Sequence, residues 1–214
     1  MRHKDYQQKM TKIGKILIAS GNKGKIAEIS EMLKEFGIRT VSAPDFNLEE
    51  PEETGATFTQ NSLIKAKYYA EKTGITALAD DSGLCIAALD GAPGIYSARW
   101  AKDEKTGDKN FALAFEKIAS ELRHKGVDLN SQKIPAYFIC DLCLYNPVTK
   151  EAKNFEGKVD GNLVFPPRGI HGFGYDPIFI PKGHNKTFAQ MPYEQKEKLS
   201  HRFAAFNLLK KSFY

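Results

Sequence analysis

The sequence predicts an α/β protein: a mixed β-sheet flanked by helices. Two observations carry this. The run "KILIAS" (Lys15 to Ser20) is followed by a small-residue loop, then Ile26, Ile29, Leu33 and Phe36 at helical spacing, then the extended run "RTVSA". That is a β-loop-α-β unit, the building block of α/β folds. Further on, "AYFICDLCLYNPVTKEAKNFEGKVDG" reads as two long strands turning at Asn146–Pro147. Such a pair is antiparallel, so the sheet is mixed.

Each element has its own signal. Residues 1–14, "MRHKDYQQKMTKIG", are polar and basic and read as an N-terminal extension; residues 15–214 form the folded domain. Gly37 is placed to stop the first helix. An acidic loop, "NLEEPEETGAT", is punctuated by Pro51 and Gly55. A second helix spans about Phe58 to Lys72 and ends at Gly74. "ITALA" is a strand leading into Asp80 and Asp81, and "LCIAAL" reads as a separate strand beyond them. "DGAPGIYSARWA" is a Gly/Pro loop. Phe111, Phe115, Ile118 and Leu122 mark an amphipathic helix between Asp108 and Lys125. After the paired strands, "FPPRGIHGFGYDPIFIP" is a Gly/Pro-rich loop with aromatics. Leu199, Phe203, Phe206 and Leu209 give one last helix, Tyr193 to Lys211.

Composition narrows the function. With 214 residues and 42% hydrophobic content, the chain has enough apolar material for a packed core. No apolar run approaches the ~20 residues of a membrane span. The basic N-terminus lacks the apolar segment of a secretory signal, so the expected location is the cytoplasm, with no membrane partner. The net charge of +5 suits an anionic ligand but is not gathered into a basic stripe, and no nucleic-acid partner is expected. Cys140 and Cys143 have CxxC spacing, yet positions three apart on a strand face opposite sides. They read as core residues rather than a metal or redox pair.

Chemistry collects in a few places. In "SGNKGK" a strand ends and a helix begins; free backbone N–H groups there attract anions, and Lys23 and Lys25 add charge. The glycines are too close for a Walker A loop. Adjacent strand residues point to opposite faces, so Asp80 and Asp81 do not share one task. A carboxylate brought near a triphosphate needs a cation between, and Mg²⁺ uses one or two carboxylates plus phosphate oxygens. A turn held by Asp and Ser side chains is the competing reading of this fragment. Asn61 and Lys65 lie four apart on one helical face. "FGYD" (Phe173 to Asp176) offers aromatic faces and a carboxylate, and "SHR" (Ser200 to Arg202) offers donors.

The combination of "SGNKGK", "EETGATFTQNSLIKA", "ADDSGL", "GAPGIYSARW", "GFGYDPIF" and "EKLSHR" resembles the inosine triphosphate pyrophosphatase family over nearly the whole chain. The resemblance implies Mg²⁺-dependent hydrolysis of non-standard purine nucleoside triphosphates (dITP, ITP, XTP) to the monophosphate and pyrophosphate, which clears deaminated purines from the nucleotide pool. It also implies an elongated sheet, two lobes with the active-site cleft between them, and a homodimer. By similarity, Ser20, Gly21, Asn22, Lys23, Gly24 and Lys25 cradle the phosphates. Asp81 is the proton acceptor and a metal ligand, with Glu52 the other metal position. Lys65 contacts phosphate and Ser82 contacts substrate. Phe173, Gly174, Tyr175 and Asp176 bind the base, Lys196 contacts substrate, and His201 and Arg202 read the base edge. Gln60 stands where many relatives have Glu. A broader triphosphate pyrophosphatase and a basic nucleic-acid-binding module are the alternative readings.

Overall fold

The computed structural model describes residues 14–131 and 133–211; the proposed N-terminal extension lies outside them except for Gly14. Six strands form one sheet in the order β2-β1-β3-β4-β5-β6. They are β1 (Lys15–Ala19), β2 (Arg39–Ser42), β3 (Ala77–Ile86), β4 (Ile134–Tyr145), β5 (Ala152–Leu163) and β6 (Phe179–Pro181). β1 pairs in parallel with β2 and β3, whereas β5 and β6 are antiparallel. The sheet is therefore mixed, as predicted. The helices that matter below are α1 (Lys23–Lys34), α2 (Phe58–Thr73), α3 (Phe111–His124), α4 (Tyr193–Leu199) and α5 (His201–Lys211).

Local chemistry sets the helix limits. The Asn22 side chain accepts hydrogen bonds from the N–H groups of Gly24 (2.9 Å) and Lys25 (3.2 Å), capping α1. Thr57 caps α2 by accepting from Gln60 N–H at 3.2 Å. Gly74 ends that helix at φ +70°, a left-handed conformation that glycine adopts without strain.

Four features differ from the sequence reading. The apolar runs on either side of the aspartates are not two strands: β3 runs unbroken from Ala77 to Ile86. Both carboxylates are bonded to lysines, so the ladder passes through them without a loop. The expected last helix is two helices, α4 and α5. Ser200 between them is extended (ψ 152°), and its hydroxyl accepts from Phe203 N–H at 3.0 Å, restarting the helix. α3 begins at Phe111 rather than Asp108, because Asn110 caps it through Ala112 N–H. The segment Phe179–Pro181, read as loop, is the edge strand β6.

The described residues fall into two compact units. The first takes in 14–81, 140–157 and 204–211; the second takes in 82–139 and 158–203. In the first, Ala66, Tyr69 and Ala70 of α2 pack on Leu17, Ala19, Ala77, Ala79 and Cys143. Cys143 faces this core while the Cys140 thiol donates to Asp80, so the CxxC pair does lie on opposite faces of β4. In the second unit, Ile118 and Leu122 of α3 join Leu84, Ile86, Phe138, Phe179 and Phe188. Among the described residues no helix is long and apolar enough to cross a membrane.

At Gly161 the strands β5 and β6 approach so closely that a Cβ would meet the Ile180 carbonyl and lie 2.6 Å from the Phe179 ring. Gly161→Ala is expected to lower stability by about 1–3 kcal/mol through overpacking. Denaturant unfolding measures it; an unchanged midpoint contradicts the packing described.

Candidate functional site

The chemistry lies in two constellations, one in each unit. In the first unit the end of β1, the start of α1, the acidic loop, α2 and β3 supply the groups. Asn22 Oδ1 fixes the start of α1 as described, and Asn22 N–H donates to the Ser20 hydroxyl at 3.1 Å. Ser20 to Asn22 thus form the turn, and Lys23 to Lys25 the first helical turn. A Cβ at Gly21 would meet the tip of the exposed Glu50 side chain, so the turn and the acidic loop come close at this point.

Asp80 and Asp81 are 1% and 5% exposed, and alternation along β3 sends them to different helices. Asp80 meets the Lys25 ammonium of α1 at 2.5 Å. Asp81 meets the Lys65 ammonium of α2 at 2.9 Å. Lys65 also contacts Glu53 at 2.5 Å, so it bridges two carboxylates. Burial alone would lower the pKa of Lys65, but Asp81 and Glu53 outweigh it and hold the ammonium above the ordinary lysine value. Burial raises the pKa of Asp81, opposed by Lys65 and Lys25. Asp81 Oδ2 is buried with no hydrogen-bond partner among the described residues.

The acidic loop is positioned by α2. Gly55 N–H donates to the Asn61 side chain at 2.8 Å, and a Cβ on Gly55 would lie 2.6 Å from that same oxygen. Gln60 has a structural use: its side-chain oxygen accepts from Ala56 N–H at 2.7 Å, closing the turn before the helix. An amide oxygen performs this task without a negative charge. Of the glutamates in "EETG", Glu52 is exposed and Glu53 reaches Lys65. Glu53 escaped the sequence reading because spacing along an irregular loop does not reveal which neighbour turns inward.

In the second unit, Asp176 organises the other constellation. Its Oδ2 accepts from Phe173 N–H at 2.9 Å and from the Lys196 ammonium at 2.6 Å. Lys196, on α4, sits 4.6 Å from the Phe173 ring centroid, and the Arg202 guanidinium lies 5.9 Å from it. Gly172 has φ +73°, and a Cβ there would strike Asp176. Phe173 and Gly174 are half-buried. Tyr175 points into the core: its hydroxyl donates to the Ser97 carbonyl at 2.8 Å and its ring meets Phe111 edge-on. It supports the loop from beneath rather than presenting a face. Arg202 is buried and donates to the Ser82 hydroxyl at 3.2 Å; His201 stacks on Phe138. Phe173, Asp176, Lys196 and Arg202 form one cluster. Lys25 and Lys65 close on the aspartates, while Lys23 forms no ion pair among the described residues.

A profile of the Ham1 family matches residues 16–212. A dITP/XTP pyrophosphatase of Zymomonas mobilis is 48% identical over 207 residues, covering 97% of this chain and 95% of that protein. A dITP/XTP pyrophosphatase of Agrobacterium fabrum is 46% identical over 199 residues, with 89% and 92% covered. Among solved structures, a HAM1 protein from Coxiella burnetii has a TM-score of 0.80 at 36% identity, covering 92% of this chain and 96% of that one. A nucleoside-triphosphatase / dITP/XTP pyrophosphatase from Mycobacterium abscessus has a TM-score of 0.70 at 39% identity, with 91% and 97% covered.

The raised pKa of Asp81 has a consequence for stability. Between the ordinary carboxylate value of 3.8 and the higher native value, the folded state holds a proton that the unfolded chain has released. The contribution of Asp81 is therefore full below that window and is lost as pH rises through it. Comparing denaturant stability of wild type and Asp81→Asn across pH isolates it. The difference is expected to move in favour of the variant as pH rises; a flat difference or the opposite slope contradicts it.

Proposed function

The chain belongs to the Ham1 family, and from that premise we propose that it hydrolyses non-standard purine nucleoside triphosphates (dITP, XTP and ITP) to the nucleoside monophosphate and pyrophosphate. The observation that carries this reading is the Lys65 ammonium held between Glu53 and the buried Asp81. An ammonium and a carboxylate of raised pKa, side by side, suit an anionic substrate and a proton that must be removed.

The phosphate end is assigned to residues 20–25 with Lys65. Lys25 and Lys65 offset the charge of the phosphates and of the departing pyrophosphate. Asp81 orients a water and takes its proton as the oxygen attacks the α-phosphorus. The bond between that phosphorus and the α,β-bridging oxygen breaks, and the electron pair leaves with pyrophosphate. A carboxylate whose pKa is raised by burial is a better base for this than an ordinary surface aspartate.

The residues also fit a magnesium ion. The unpartnered, buried Asp81 Oδ2 is a hard oxygen donor. Among the described residues no group of three or more His, Cys, Asp or Glu side chains is arranged to hold a metal. Mg²⁺ does not need one, since it is commonly bound by one or two carboxylates together with substrate phosphates and water. Asp81 and the Glu52–Glu53 pair are the proposed ligands. When bound, Mg²⁺ supplies charge neutralisation at the phosphates.

The base end is assigned to Phe173, Asp176, Lys196, His201, Arg202 and Ser82. Phe173 offers a half-buried ring for the purine face. Hypoxanthine and xanthine present a 6-carbonyl acceptor where adenine presents an amino donor. A guanidinium donor satisfies the first and is left unpaired against the second. The reading also includes a homodimer and a cytoplasmic location; both rest on the family resemblance and on where nucleotide pools are consumed.

Two measurements test the proposal. Pyrophosphate release from XTP and ITP is expected to exceed that from ATP by at least about 100-fold, the scale of a missing buried hydrogen bond; equal rates contradict the assignment. Asp81→Asn is expected to lower kcat by about 100-fold or more while keeping the fold, as checked by circular dichroism. Near-normal turnover in that variant removes Asp81 from its role.

A further inference from the structure

A further buried carboxylate, Asp141 on β4, lies in the first unit and takes no part in the chemistry above. It is 1% exposed. Its Oδ1 accepts from the Ser62 hydroxyl at 2.5 Å and from the Asn154 amide at 2.6 Å. Its Oδ2 accepts from the Thr59 hydroxyl at 3.0 Å. Asn154 belongs to β5, and Thr59 and Ser62 to the first two turns of α2. One carboxylate thus ties the start of a helix to two neighbouring strands.

The same two turns carry the groups of the candidate site. Asn61, 1% exposed, holds the acidic loop through Gly55 N–H. Lys65 follows Ser62 by three residues and Asn61 by four, on the same side of the helix. Its ammonium reaches Asp81 on β3, the strand next to β4 in the sheet. Hydrogen bonds to a carboxylate are short and directional, so the two from Thr59 and Ser62 set the depth and rotation of that end of α2 against the sheet, and the one from Asn154 fixes the carboxylate to β5.

We infer that Asp141 is a positioning residue for Lys65: its carboxylate, through Thr59, Ser62 and Asn154, locks the first turns of α2 to the sheet and so holds the Lys65 ammonium against Asp81 and Glu53. Hydrophobic contacts of Ala66, Tyr69 and Ala70 keep α2 on the sheet but are non-directional and tolerate sliding. The polar network at the N-terminal end supplies the register. A displacement of about 1 Å at a charged catalytic group costs up to about 100-fold in rate.

The kinetic arm of the test rests on the proposed reaction; the spectroscopic arm does not. In the kinetic arm, pyrophosphate release from XTP is followed for wild type, Asp141→Ala, Asp141→Asn, Lys65→Met and the double variant Asp141→Ala/Lys65→Met. Asp141→Ala is expected to lower kcat/KM by about 10- to 100-fold. Asp141→Asn, which keeps an oxygen for Ser62 and Asn154 and can donate to Thr59, is expected to recover most of it. In the Lys65→Met background, Asp141→Ala is expected to change kcat/KM by less than about twofold, because its effect passes through Lys65. Effects that multiply overturn the inference, since a merely structural loss acts alongside Lys65 rather than through it.

In the spectroscopic arm, the Lys65 side chain is observed by NMR at one neutral pH in metal-free protein. NOEs from its ε-protons to the Asp81 β-protons mark the pair. They are expected to be lost in Asp141→Ala and kept in Asp141→Asn. Unchanged NOEs in Asp141→Ala overturn the inference. If Asp141→Ala does not fold, Ser62→Ala takes its place, with the same non-additivity toward Lys65→Met expected at smaller amplitude. A wild type that releases no pyrophosphate from XTP, ITP or dITP sinks the proposed function, and the NMR contacts then decide the role of Asp141 by themselves.

Discussion

Two aspartates in consecutive positions of a buried strand are tolerable only if each finds a cation on its own side of the sheet. Everything else in the first unit follows from that constraint. Strand alternation separates the carboxylates. One helix brings Lys25 to Asp80 and another brings Lys65 to Asp81. Removing either ammonium would leave a buried charge uncompensated, at a cost of about 3–5 kcal/mol for such pairs. Hydrophobic residues of similar volume would hold the fold at least as well. The retention of ionic pairs at this place in the strand therefore points to chemistry rather than to stability.

The second unit follows a related design with a different target. Asp176 accepts from a backbone N–H and a buried ammonium at once, which fixes Phe173 and Lys196 relative to one another. Tyr175 is anchored from below and Gly172 permits the tight turn. A loop of mixed glycine and aromatic composition is thereby made rigid enough to present one ring and two cationic groups in a set arrangement. Rigidity of this kind is what discrimination between purines needs, because a mismatch is penalised only when the donor cannot move away from it.

Much of this was legible in the sequence, for identifiable reasons. The helical spacing of Ile26, Ile29 and Leu33 and the stop at Gly37 gave the first helix; the divergence of Asp80 and Asp81 followed from strand periodicity. Periodicity failed where side-chain bonding overrides it. Ser200 interrupts an apolar pattern that otherwise runs on, because its hydroxyl restarts the helix. The stretch through Asp80 to Gly83 looks like a loop by composition and is strand, because the lysines that neutralise it are distant in sequence. The inward turn of Glu53 and the use of Gln60 as a backbone acceptor depend on loop geometry that spacing does not encode. The buried network at Asp141 is invisible for the same reason: its partners are up to 82 positions away.

The central claim is that the paired lysines and aspartates serve attack on the α-phosphorus. Hydrolysis of XTP in ¹⁸O-labelled water, with both products analysed by mass spectrometry, tests it most directly. The account predicts one labelled oxygen in the nucleoside monophosphate and none in pyrophosphate. Label in pyrophosphate, or labelled orthophosphate as the product, would place the attack elsewhere and contradict it.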